Sequence, residues 1–154
     1  MYHLQKLKSL LLLLCFAVTV QAQLSNGKVY NFVNVENTGK SMVLVSGDEL
    51  SVTTTDQSEY KQLWYVVKND DNSYSLRNLD NRKYLRSPNA TGNQRWTVVE
   101  TADANCKFEC VQAGSGYSLR ATNSSGNEHD KHYMHYSEPT NGVNRIVCWS
   151  TTPA

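Results

Sequence analysis

The feature that most constrains this chain is that it repeats itself. Tyr74-Ser75-Leu76-Arg77 returns as Tyr117-Ser118-Leu119-Arg120, and Tyr30-Asn31-Phe32-Val33 is a looser, earlier copy. The leading tyrosines are 44 and then 43 residues apart. Each copy begins Tyr-x-apolar, passes through a polar turn, and ends with a basic residue, one spacer and Leu or Met. The endings are Lys40-Ser41-Met42, Lys83-Tyr84-Leu85 and His132-Tyr133-Met134. They lie 43 and 49 residues apart, because the third copy carries a longer turn. A fixed period of this size marks units that have too little core to stand alone and must pack on one another.

The Tyr-x-apolar alternation has the period of a strand with one face inward, which points Leu76 and Leu119 to a core and Arg77 and Arg120 outward. The intervening Asn, Asp, Gly and Ser residues read as hairpin turns. Other segments keep the same register. Leu63-Trp64-Tyr65-Val66-Val67 sets Trp64 ten residues before Tyr74, and Phe108-Glu109-Cys110-Val111 sets Phe108 nine residues before Tyr117. Twelve residues before these two aromatics stand Val52, closing Leu50-Ser51-Val52, and Trp96, within Arg95-Trp96-Thr97-Val98. No stretch after the leader carries a helical apolar stripe. The expectation is all-β, four short strands per unit, in units of about 30–73, 74–116 and 117–154 that form a pseudo-threefold barrel capped by hairpins.

Residues 1–22 are set apart from this pattern. Lys6 and Lys8 precede an apolar run from Leu10 to Val20, and Val20-Gln21-Ala22 is a small-residue cleavage pattern, so the segment reads as a secretory signal peptide. The run is shorter than the roughly 20 residues a membrane span needs. Cys15 raises acylation as an alternative, but Leu14 occupies the place where such sites want a small residue. The expected location is secreted or periplasmic. Beyond the leader, 13 of the 15 basic residues face 14 acidic ones, a net charge of −1, which offers no basic face for nucleic acid.

Three cysteines follow the leader: Cys106, Cys110 and Cys148. Cys106 and Cys110 on one extended strand would be roughly 13 Å apart, too far for a disulfide. Cys110 with Cys148 stays open as a pair, and buried, inert thiols are the expectation. Asn89-Ala90-Thr91 and Asn123-Ser124-Ser125 are glycosylation sequons in expected loops.

With these residues in place, the chain from about residue 28 to 154 resembles the ricin-B-type β-trefoil lectins. Their marker, Gln-x-Trp on the last strand of a unit, is matched by Gln62-Leu63-Trp64. Gln94-Arg95-Trp96 matches as a string, yet the register puts it on a third strand, and the equivalent place in the second unit is Cys106-Lys107-Phe108. In the third unit, Arg145 to Trp149 is the third strand, so a fourth is expected near position 161, beyond Ala154; one strand of twelve is unaccounted for. An unfilled edge would expose backbone and core.

The resemblance implies shallow sugar sites built from an Asp after the second strand, an aromatic platform near the third and an amide by the fourth. A ring stacks on sugar C–H faces while the carboxylate and amide fix hydroxyls. The Asp position falls here on Val43, Arg86 and His135, none of them a carboxylate. The galactose-type site is therefore not expected. Trp96 and Trp149 hold the platform position, and His135, Tyr136 and Asn144 gather with Trp149 in the third unit. These five are the candidate glycan contacts. His129, Asp130, His132 and His135 lack tetrahedral metal spacing. No nucleophile elbow, phosphate loop or metal quartet is present, and Asp70-Asp71 and His129-Asp130 read as solvated turns. The expectation is a non-catalytic glycan- or polysaccharide-binding module without cofactor. The alternative is a trefoil that serves as a protein-interaction or inhibitor module, using a loop such as Ser124 to Lys131.

Overall fold

The computed structural model describes residues 24–35, 38–88, 94–122, 133–137 and 145–148, with backbone alone for Ser137, Arg145, Val147 and Cys148. The expected leader, both sequons, His129, Asp130, His132, Asn144, Trp149 and the loop from Ser124 to Lys131 lie outside the described residues. Strands come in the order β1 (Val29–Asn31), β2 (Lys40–Leu44), β3 (Leu50–Thr54), β4 (Leu63–Lys68), β5 (Tyr74–Asn78), β6 (Tyr84–Arg86), β7 (Gln94–Arg95), β8 (Thr97–Val99), β9 (Phe108–Ala113), β10 (Gly116–Ala121), β11 (Met134–Ser137) and β12 (Arg145–Cys148). The only helical elements among the described residues are 3₁₀ turns at Tyr60–Gln62 and Ala104–Cys106.

Two layers result. Strands β1, β4, β5, β9 and β10 form one antiparallel run, in which β4 pairs with β1 on one side and β5 on the other, and β9 with β5 and β10. Three hairpins, β2–β3, β6–β8 and β11–β12, complete the fold. They are joined to one another by backbone: Glu49 bridges Thr97, and the Trp96 N–H donates to the Ile146 carbonyl at 3.0 Å. The core is shared between layers. Met42, Leu44, Leu50 and Val52 come from the first hairpin, Leu85, Trp96 and Val98 from the second, and Ile146 from the third. They meet Trp64, Val66, Leu76, Phe108 and Leu119 of the strand run.

The strands fall close to where their spacing placed them, with two differences. The segment around Trp96 is broken into β7 and β8, because the chain changes partner there: β7 pairs with β12 and β8 with β6. In the third unit the second strand was expected to end near Met134; instead β11 begins there. Tyr133 bridges Arg120 of β10, and Met134 starts the ladder opposite Cys148. The outward arginines are half-buried and occupied. The Arg77 guanidinium lies 5.4 Å above the Tyr84 ring, and Arg120 pairs with Glu109.

Gln62 explains how β4 is set in place. Its Oε1 accepts from the Asp56 N–H at 2.9 Å and from Asn31 Nδ2 at 3.4 Å, while its Nε2 donates to the Thr54 carbonyl at 2.9 Å. One buried amide therefore ties the end of β1, the end of β3 and the 3₁₀ turn together, and two residues on Trp64 is fully buried. The turn after β4 has its own tie: Asp71 accepts from Ser73 and from Lys107 Nζ at 2.6 Å. Between β9 and β10 the loop is two residues long, with Gly114 at φ +54°, the conformation a tight hairpin needs at its first turn position.

Removing a core aromatic leaves a cavity, so Trp64→Ala is expected to lower stability by about 3–5 kcal/mol in urea titration. Gln62→Met keeps the volume but strands buried backbone groups and should cost about 1–3 kcal/mol. Tyr60→Ala, at a residue 62% exposed, should stay within about 0.5 kcal/mol, and a Gln62→Met loss no larger than this would refute the role given to the amide. Hydrogen bonds from Lys107 and then Ser73 hold the Asp71 carboxyl down at about 2, below the ordinary 3.8. Its contribution to stability is complete above that ordinary value and fades as the pH falls towards 2. In Lys107→Met the Asp71 carboxyl resonance should titrate at higher pH, and acid unfolding should begin earlier.

Candidate functional site

The hairpin β11–β12 carries the expected site. His135 stands opposite Val147 and Tyr136 opposite Ile146. Met134 and Tyr136 pack against the core, and His135 between them is half-buried, with its Nε2 shielded from solvent. All three line one cavity, and Tyr136, which the sequence placed among the glycan contacts, also packs against the core. Asn144 and Trp149, which flank β12 in sequence, lie outside the described residues.

Trp96 does not serve as a platform, contrary to expectation. It is 1% exposed, and its ring centroid lies 5.1 Å from that of Phe108 with the planes tilted by 32°. An aromatic pair of this geometry contributes about 0.5–1.5 kcal/mol beyond burial, and it leaves no face for a ligand. The residue sits where the chain crosses from β12 to β6, and that crossing turns its ring inward.

The three positions where an Asp was sought are each accounted for. Val43 is buried, opposite Ser51. Arg86 pairs with Asp103 at 2.9 Å. Asp103 also accepts from the Asn105 N–H at 2.9 Å and so caps the turn that leads into β9. Burial opposes ionisation of Asp103, but Arg86, the Cys106 thiol and the Asn105 N–H together hold its carboxyl below the usual value. In the second unit, then, the place of a sugar-binding carboxylate is closed by a structural ion pair. His135 is the third position; it is half-buried, with its Nε2 shielded from solvent.

Cys106 and Cys110 are free thiols, which removes the Cys110–Cys148 pairing that the sequence left open. Burial pushes Cys106 up to about 11 and also raises Cys110. Among the described residues no group of three or more His, Cys, Asp or Glu is placed to hold a metal ion, and no helix is long and apolar enough to cross a membrane.

A cavity of about 400 Å³ opens beside the hairpin. Phe32, Val35, Tyr117, Leu119, Met134 and Ile146 are among its lining residues. Tyr117 had been read only as the start of a strand like Tyr74, but Tyr74 is 4% exposed and Tyr117 37%.

No protein-family model matches the chain, and no curated protein matches it in sequence. Solved structures do match in shape. The Macrolepiota procera ricin B-like lectin in complex with lactose matches with a TM-score of 0.65 at 15% identity, covering 84% of this chain and 91% of that one. The Polyporus squamosus lectin bound to a human-type influenza-binding epitope matches with a TM-score of 0.65 at 12% identity, covering 84% of this chain and 46% of that one. An arabinofuranosidase complexed with arabinofuranosyl-α-1,2-xylobiose matches with a TM-score of 0.65 at 15% identity, covering 86% of this chain and 28% of that one. This chain thus spans less than half of the last two. The chain has the fold of the ricin-B-type lectins, an all-β trefoil.

A thiol raised this far is almost wholly protonated at neutral pH, and the thiolate is the nucleophile. Cys106 should therefore remain unalkylated by iodoacetamide at pH 8 in the folded protein and react after unfolding. Rapid labelling of Cys106 in the native state, read by peptide mass, would contradict its placement.

Proposed function

We propose that the chain is a secreted, non-catalytic module that binds glycans or polysaccharide, built from three trefoil units of about 43 residues behind a cleaved leader. The observation that carries the reading is the shape shared with the lactose-bound Macrolepiota procera lectin over nearly the whole of both chains. We place the site on hairpin β11–β12, beside the cavity that His135 helps to line. His135 contributes an imidazole there. Trp149, which follows β12 in sequence, would offer a ring to stack on sugar C–H groups. Asn144 precedes β12 and supplies the amide. With an imidazole in place of a carboxylate, the site favours a ligand other than the galactose type, since a neutral ring fixes one hydroxyl where a carboxylate fixes two.

A second reading keeps the scaffold and drops the sugar: the trefoil would be a platform for protein contacts or inhibition. The observation in its favour is that the carboxylate position is buried in the first unit and closed by Arg86 and Asp103 in the second.

On a glycan and polysaccharide array the full chain should bind at least one class of ligand. His135→Ala and Trp149→Ala should each weaken that binding about tenfold or more, with thermal stability changed little. Trp96→Ala should lower stability first and affinity only in proportion to the unfolded fraction. Absence of binding to every glycan, with the protein shown to be folded, would sink the sugar reading and leave the protein-interaction one.

A further inference from the structure

The repeat contains its own comparison at the two arginines. Arg77 and Arg120 close the two copies of one four-residue string, and each stands between two cross-strand neighbours. Arg120 lies opposite Glu109 of β9 and bridges Tyr133. Arg77 lies opposite Tyr65 of β4 and Tyr84 of β6. The tyrosine on one side is kept, and the carboxylate on the other gives way to a phenol. Glu109 neutralises Arg120. Arg77 takes part in no ion pair among the described residues, whereas Lys83, Arg86, Arg95 and Lys107 each have an acidic partner.

Arg77 is nevertheless held in one orientation. Its Nε donates to the Arg82 carbonyl at 2.6 Å, and its guanidinium lies 5.4 Å from the centroid of the Tyr84 ring. The other N–H groups of the fork have no hydrogen-bond partner among the described residues. Beside it, Tyr65 alternates with the fully buried Trp64 and Val66 and is 37% exposed, so its ring belongs to the outer surface. Directly opposed residues on antiparallel strands have Cβ atoms about 5 Å apart, close enough for a ring and a guanidinium to meet one small ligand. Val29, opposite Tyr65, and Val99, opposite Tyr84, extend the row at its two ends. Lys28, next to Val29, and Arg82, beneath Arg77, are exposed and form no ion pair among the described residues.

We propose that the row Tyr65, Arg77 and Tyr84 is a second binding site, for a uronate unit of an acidic polysaccharide. The carboxylate meets the open fork of Arg77, and a C–H face of the sugar ring lies on Tyr65. Tyr84 is a positioning residue that fixes the plane of the guanidinium. Charge complementarity selects the occupant. An oriented, unpaired guanidinium with Lys28 and Arg82 nearby favours an anion, and the exposed ring beside it favours an anion carried on a ring with apolar faces. In the third unit Glu109 supplies the carboxylate from within the chain and closes the equivalent place. This site shares no residue with hairpin β11–β12, so it goes beyond the function proposed above.

The test uses the full chain titrated calorimetrically with short oligosaccharides of galacturonate, glucuronate and mannuronate, each beside its neutral methyl ester. At least one uronate should bind, its ester about tenfold more weakly or worse, and added salt should weaken the uronate alone. Arg77→Gln should cost about tenfold or more, and Arg77→Lys should not restore the affinity. Tyr65→Glu, which copies the Glu109 arrangement, should abolish binding without lowering the melting temperature; Arg120→Gln should leave binding unchanged. No binding at millimolar uronate, equal binding of the esters, or equal affinity in Arg77→Gln would each overturn the proposal. An oligoaspartate peptide that binds as tightly would overturn the sugar as occupant. Uronate binding lost in His135→Ala and kept in Arg77→Gln would defeat this site and leave the hairpin reading standing. Neutral glycans bound with no uronate bound would do the same, and uronate bound through Arg77 with no other glycan bound would defeat the hairpin reading alone.

Discussion

The rung formed by Tyr30, Trp64 and Asn78 is the contact on which the rest of the molecule depends. None of the hairpins has enough apolar surface to be stable alone. They become a core only when strands of successive units stand side by side, and Trp64 is the side chain that β1 and β5 share. Gln62 sets its position by bonding to Asn31, Thr54 and Asp56, and so converts a local 3₁₀ turn into a fixed crossing point. The second crossing is built from different chemistry at the same place. Phe108 replaces the indole, and Asp103 with Arg86 secures the turn from outside the core.

This division of labour accounts for what the site is and is not. Residues that hold crossings cannot also hold ligands. Trp96 packs on Phe108, Gln62 uses both ends of its amide, and Arg86 is neutralised by Asp103. The hairpin β11–β12 has fewer such duties. Met134, Tyr136 and Ile146 reach the core, and His135 is half-buried beside the cavity they share.

Much of the architecture was legible because it depends on period-two patterning and on fixed spacing. Tyr74, Leu76, Leu119, Trp64 and Phe108 announce both the strands and the inward face, and the structure places each of these strands where the spacing put it. The role of Trp96 was not legible. An aromatic on a third strand is an exposed platform or a core residue according to where the chain changes ladder partner, and that change depends on Ile146, fifty residues away. The second strand of the third unit was expected to end near Met134, whereas β11 begins there; Tyr133 bridges Arg120 as Tyr84 pairs with Arg77, so that contact follows the repeat. Nor does the sequence distinguish Tyr117 from Tyr74, because what covers one and not the other is a neighbouring strand.

The most direct measurement is a backbone amide map of the full chain titrated with the tightest-binding glycan. Chemical-shift changes should centre on Met134–Ser137 and Arg145–Cys148, with His135 among the largest, and leave Val43, Arg86 and Trp96 nearly still. Changes centred on Val43 or Arg86, or a shift pattern spread through the core around Trp96, would contradict the account.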